Sequence, residues 1–123
     1  MIMKRLAIAV FALLPTTALA DFSCTIAQQC GLGQCEPFPG DPVVMHEAGD
    51  TWQINFGGQI YEGYVSTTVE GTGELNIILP PQSSVSGMVS LYESGAVAMT
   101  FHALNGADPV AITGYGNCEG TGG

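Results

Sequence analysis

Thr51-Trp52-Gln53-Ile54-Asn55-Phe56 alternates without a break. Trp52, Ile54 and Phe56 fall on one side of an extended chain, and Gln53 and Asn55 fall on the other. Side chains on a strand alternate between faces, so this period of two marks a half-buried β-strand. Turn-forming pairs bracket it, Gly49-Asp50 before and Gly57-Gly58 after. Similar segments follow in both directions, and turn signals recur about every ten residues. Val43–Ala48 precedes it. Gln59–Glu70 follows, with Tyr61, Gly63, Val65, Thr67 and Val69 on one side and Ile60, Glu62 and Tyr64 on the other. A bend or change of face is expected near Gly63.

Leu75, Ile77 and Leu79 mark the next strand, which Pro80-Pro81 is expected to end. Gln82–Ser86 reads as a polar loop. Val89 and Leu91 alternate with Met88, Ser90 and Tyr92, and Ser94-Gly95 reads as a two-residue hairpin turn. Val97, Met99 and Phe101 share one face of the strand that follows, and Asn105-Gly106 turns it into a last strand from Val110. Outside the first twenty residues no apolar pattern repeats every 3.6 residues. The expected fold is therefore all-β, with roughly seven to nine short antiparallel strands. A small closed barrel is the first expectation and a two-sheet sandwich the alternative.

Four cysteines frame these strands. Three lie together in Cys24-Thr-Ile-Ala-Gln-Gln-Cys30-Gly-Leu-Gly-Gln-Cys35, and Cys118 stands near the end. If Phe22–Gln29 is a strand and Gly31–Gln34 its turn, Cys30 and Cys35 face each other across the neck of a hairpin. Cys24 then lies about 20 Å from Cys30, at roughly 3.3 Å per residue, too far for a bridge. The same register sets Cys24 opposite Asp41 rather than Cys35. Of the three possible connectivities, Cys30–Cys35 with Cys24–Cys118 is favoured. Zinc is the rival use of four cysteines, but the spacings lack the C-x2-C pairs that zinc sites favour. Pro37-Phe-Pro39-Gly-Asp-Pro42 reads as a linker unfit for a central strand.

Residues 1–20 read as an export signal. Lys4 and Arg5 form the positive start, Leu6–Leu14 is an apolar run too short to span a bilayer, and Ala18-Leu19-Ala20 ends in the small residues that signal peptidase needs. A retained anchor and a lipoprotein fit less well, since Cys24 is not the first residue after the cut. Residues 21–123 form a single β domain located in the periplasm or secreted, where disulfides persist.

Cleavage removes both basic residues, so the formal charge moves from −9 to −11, with 11 Asp and Glu against no Lys or Arg. Nucleic acid, phosphate and anionic lipid are repelled, and no membrane association is expected after cleavage. A cationic protein or other cationic ligand is attracted.

No acid, base and nucleophile set can be assembled, so no enzyme is expected and no cofactor is implied. His46 and His102 are the only histidines. Methionine and histidine together suit copper, but Met45 and His46 point to opposite faces, and so do Met99 and His102. They read as surface histidines, with weak metal binding as a lesser alternative. Trp52, Phe56, Tyr61 and Phe101 read as core. Tyr64 and Tyr92, on the more polar faces, are candidates for a binding surface with Glu62 and Glu93.

The layout resembles a group of small exported bacterial proteins of unknown function. The likeness lies in the early cluster Cys24-Thr-Ile-x3-Cys30-x4-Cys35 and in the ending Ala111-Ile-Thr113 with Gly116-x-Cys118. It covers nearly all of residues 21–123 and implies no activity. A local stretch is similar to the periplasmic inhibitors of C-type lysozyme, disulfide-tied β-barrels that dock a Ser-Gly-x-x-Tyr loop into a basic enzyme's cleft. Ser94-Gly95 supplies the first half of that loop, while Ala98 stands where the tyrosine belongs. The likeness implies a binding role for Ser94 and Gly95. The sequence thus points to a non-enzymatic exported binding module for a cationic partner. Lysozyme inhibition is the second reading and weak metal binding the third.

Overall fold

The computed structural model describes residues 21–69, 71 and 74–120. The expected signal segment lies outside the described residues. Among the described residues nine strands follow one another: β1 (Asp21–Gly31), β2 (Gln34–Pro37), β3 (Val43–Ala48), β4 (Thr51–Phe56), β5 (Gln59–Val69), β6 (Glu74–Gln82), β7 (Val85–Leu91), β8 (Ala96–Asn105) and β9 (Asp108–Gly120). All pairings are antiparallel. β1 and β3 through β9 form a ring that closes where β9 pairs β1, from Phe22↔Gly120 to Gly31↔Ile112. The fold is a closed eight-stranded barrel. Closure leaves no second sheet to stack, so the sandwich alternative is discarded.

β2 is the ninth strand and stands outside the ring. It pairs only with the upper half of β1, in the register Gln28↔Pro37 to Gly31↔Gln34. β3 takes over the same edge of β1 lower down, with Cys24 opposite Val43 instead of Asp41. Both disulfides are as expected: Cys30–Cys35 crosses the β1–β2 hairpin and Cys24–Cys118 joins β1 to β9.

The alternation in the sequence becomes inside and outside of the barrel. Among the described residues fourteen buried apolar side chains fill it, including Met45, Trp52, Ile54, Ile77, Leu79, Val89, Met99 and Phe101. Phe38, from the proline-rich linker, folds over the upper mouth and packs on Phe56 with ring centroids 5.7 Å apart. Phe56 in turn packs on Phe101 at 5.2 Å. The crevice beneath them offers about 10 Å³, barely room for one water.

Ring closure demands bent strands and close approaches. β1 slips register between Ile26 and Gln28, and Gly116 faces Ile26 across the seam. A Cβ at Gly116 would run into the Thr25 carbonyl oxygen and stand 2.9 Å from the Ile26 Cα. Only glycine lets β1 and β9 meet there.

Three local expectations are corrected. β5 bends between Val65 and Thr67, not at Gly63. Gly63 stays in register opposite Trp52, and the extra residue turns Val65 outward. Pro80-Pro81 does not end β6. The two prolines form a bulge within it, between the pairs Leu79↔Gly87 and Gln82↔Val85, so no ladder bond is asked of a residue without an N–H. The loop after it shrinks to Ser83-Ser84, both with positive φ. Finally, Ser94-Gly95 belongs to a three-residue loop. The Gly95 N–H donates to the Tyr92 carbonyl at 2.9 Å, as in a type I turn, and Gly95 follows at φ 91°, closing a glycine bulge against Ala96.

Candidate functional site

Strand direction alternates around the ring, so the connections sort into two ends. The turns at 32–33, 57–58, 83–84 and 106–107 lie at the upper end. Asp21, the turn at 49–50, the end of β5 and the start of β6, the loop 93–95 and Gly120 lie at the lower end.

This sorting divides the expected binding surface. Glu62 and Tyr64 lie on the outer wall in the upper half of β5, while Tyr92, Glu93, Ser94 and Gly95 lie at the lower end. Both tyrosines are half exposed, as their polar faces suggested, but the structure does not bring them together. Alternation along a strand says which side a residue faces. It does not say how high on the barrel the residue stands, and that height separates the two groups.

The lower group is built on the disulfide. The Cys118 N–H donates to the Gly95 carbonyl at 2.7 Å, so the loop rests on β9 beside the Cys24–Cys118 bridge. Within the loop the Ser94 hydroxyl accepts from the Ala96 N–H at 3.3 Å, and the Glu74 carboxylate accepts from the Glu93 N–H at 3.5 Å. Asp21, Glu47, Asp50, Glu74, Glu93 and Glu119 all lie at this end. They are six of the ten described carboxylates, and no Lys or Arg stands among the described residues. His46 is exposed and its Nδ1 contacts the Asp21 carboxylate, a pairing across β1 and β3 that the sequence did not reveal. His102 is exposed on the outer wall of β8. Among the described residues no three or more His, Cys, Asp or Glu side chains gather where a metal ion could be held.

The upper group is tied differently. The Tyr64 hydroxyl donates to a Glu62 carboxylate oxygen at 2.8 Å. That hydrogen bond, then the carboxylate's negative charge, raises the Tyr64 pKa above the ordinary tyrosine value. The Gln82 side chain bonds the main chain of Glu62 on both sides, at 2.7 Å and 2.8 Å. Nothing in the sequence distinguished Gln82 from other surface glutamines. The signal was indirect: two prolines inside a strand leave the neighbouring strand without ladder partners.

A further groove of about 380 Å³ lies at the upper end, between the β1–β2 and β8–β9 hairpins. Val110 and Ile112 contribute apolar surface to it, and Gln29, Gln34, Glu36 and Asn105 contribute polar side chains. No family model, curated protein or solved structure matches the chain.

Proposed function

We propose that the protein is a non-enzymatic binding module of an oxidising compartment, the periplasm or the exterior, and that its lower end takes a cationic protein. The two disulfides are consistent with such a compartment. The observation that carries the reading is the lower end itself. Six carboxylates share the end that carries a loop tied to Cys118 of the Cys24–Cys118 bridge, so the charge is presented on a rigid frame. Such a surface steers a basic partner and fixes its orientation. The filled interior favours surface recognition over catalysis, because an enzyme works best where water is excluded around its reactants. The interior is apolar and filled, while the outer wall mixes polar residues such as Gln53 and Glu62 with exposed apolar ones such as Val44 and Met88. A barrel that spans a membrane has a polar interior, so the apolar filling supports a protein free of the bilayer.

Inhibition of a C-type lysozyme is the second reading. The exposed Ser94-Gly95 loop on the acidic end of an eight-stranded barrel favours it. Calorimetric titration of residues 21–123 with a C-type lysozyme, other basic proteins and an acidic protein of similar size tests both readings. The expected result is salt-sensitive binding to basic proteins only. Loss of lysozyme's lytic activity would select the inhibitor reading. A lack of binding to every basic protein would refute the proposal.

A further inference from the structure

β5 pairs with β6 only from Tyr64↔Ile78 downward. Above that point Gln59–Gly63 pair with β4 on one side and have no register partners on the other, although Gly63 still lies against Ile77 and Ile78 of β6. The cause is the Pro80-Pro81 bulge, which carries β6 out of register. Main-chain groups alternate in direction along a strand, so Ile60, Glu62 and Tyr64 all point toward β6. Tyr64 finds Ile78 there. Glu62 finds the Gln82 side chain: Oε1 accepts from the Glu62 N–H at 2.7 Å, and Nε2 donates to the Glu62 carbonyl at 2.8 Å. The same Nε2 donates to the Pro80 carbonyl at 2.9 Å. A primary amide offering a donor and an acceptor to one residue is a side-chain copy of a peptide group. Gln82 thus fills one position of an absent strand.

We propose that the upper edge of β5 docks an extended, cation-bearing peptide segment of a partner protein by strand addition, and that Gln82 is the placeholder it displaces. The amide already seated on Glu62 shows that this edge accepts a peptide-like group. Ile60, 61% exposed, has its main-chain groups turned the same way and supplies a second ladder position with apolar cover. The Glu62 carboxylate stands outward at the same edge, so the residue opposite it is best a Lys or Arg. The inward-facing neighbours must be small. A Cβ placed at Gly63 would already lie 2.6 Å from the Ile77 Cγ2, so the space inside is taken. Room for the added strand comes from the bulge. Pro80 and Pro81 have no register partners, and the Gln82 amide links Pro80 to β5. Docking requires that amide to be released and the bow to move outward. The site is on the wall of β5, apart from the lower end, and does not depend on what binds there.

The test uses residues 21–123 labelled with 15N and a blocked hexapeptide, Thr-Ala-Lys-Ala-Val-Thr. Dose-dependent shifts are expected for the Ile60 and Glu62 main-chain amides and the Gln82 side-chain amide. Alternate backbone N-methylation of the peptide, or Glu in place of its Lys, should weaken binding at least tenfold. Gln82→Ala should tighten it severalfold, because nothing has to be displaced, provided its spectrum retains native dispersion. Shifts confined to the lower end, equal binding by the N-methylated peptide, or weaker binding by a folded Gln82→Ala variant would each overturn the proposal. No shifts at millimolar peptide would overturn it as well.

Discussion

The two disulfides differ in what they constrain, and the difference can be measured. Cys24–Cys118 spans 94 residues and Cys30–Cys35 spans five. In the chain-entropy treatment a bridge stabilises by restricting the unfolded chain, with an entropy of about −2.1 − 1.5R ln n cal/mol/K. The long bridge then contributes about 4.7 kcal/mol at 25 °C and the short one about 2 kcal/mol. The structure adds to the first figure, because Cys24 is fully buried and the pair sits on the seam where β1 meets β9. Cys35 is exposed in a hairpin that stands outside the ring. Urea and thermal denaturation of Cys24→Ala/Cys118→Ala and Cys30→Ala/Cys35→Ala variants make the comparison. At roughly 4–8 °C per kcal/mol, the hairpin variant should melt on the order of 10 °C lower and the seam variant at least twice as far. The urea m-value should rise in the seam variant alone, since its unfolded chain is free to expand. Equal losses, or a larger loss from the hairpin bridge, would mean that ring closure does not depend on the seam.

Gly116→Ala should destabilise by roughly 1–3 kcal/mol or more, because the methyl meets the main chain of β1, not a side chain that can turn away; urea melts read this, and a neutral result would show that the seam is slack. Tyr64 has a raised pKa in the folded state, so its contribution is fully present below the unfolded value near pH 10 and is lost as pH climbs through the folded value. Ring chemical shifts followed against pH should show Tyr64 deprotonating above the ordinary tyrosine value, and Glu62→Gln should bring it down; an unmoved titration would mean that Glu62 is not the cause.

Much of the barrel could be read from the chain, since Trp52, Ile54, Val89, Val97, Met99 and Phe101 keep strict alternation and all turn inward. The disulfide pairing was legible for a related reason: strand length and turn position fix which cysteines can meet. What escaped was every place where alternation breaks. The bulge between Val65 and Thr67 leaves Val65 outward, and no local residue announces it. Pro80-Pro81 looked like an end because proline cannot join a ladder, yet a bulge removes that requirement. Ser83 and Ser84 adopt positive φ where Asn or Gly would be the usual signal. The candidate site suffered most. Tyr64 and Tyr92 have matching local patterns, and only the ring topology puts them at different heights.

If charge on one end of the barrel selects the partner, charge reversal at the two ends has unequal effects. Glu74→Lys/Glu93→Lys/Glu119→Lys alters the lower end, while Glu36→Lys/Asp108→Lys alters the upper. Binding of a basic protein such as a C-type lysozyme is measured for both variants by calorimetry at physiological salt. The expected result is at least tenfold weaker binding for the lower-end variant and little change for the upper-end one. Losses that track only the number of charges reversed, or a loss confined to the upper-end variant, would contradict it.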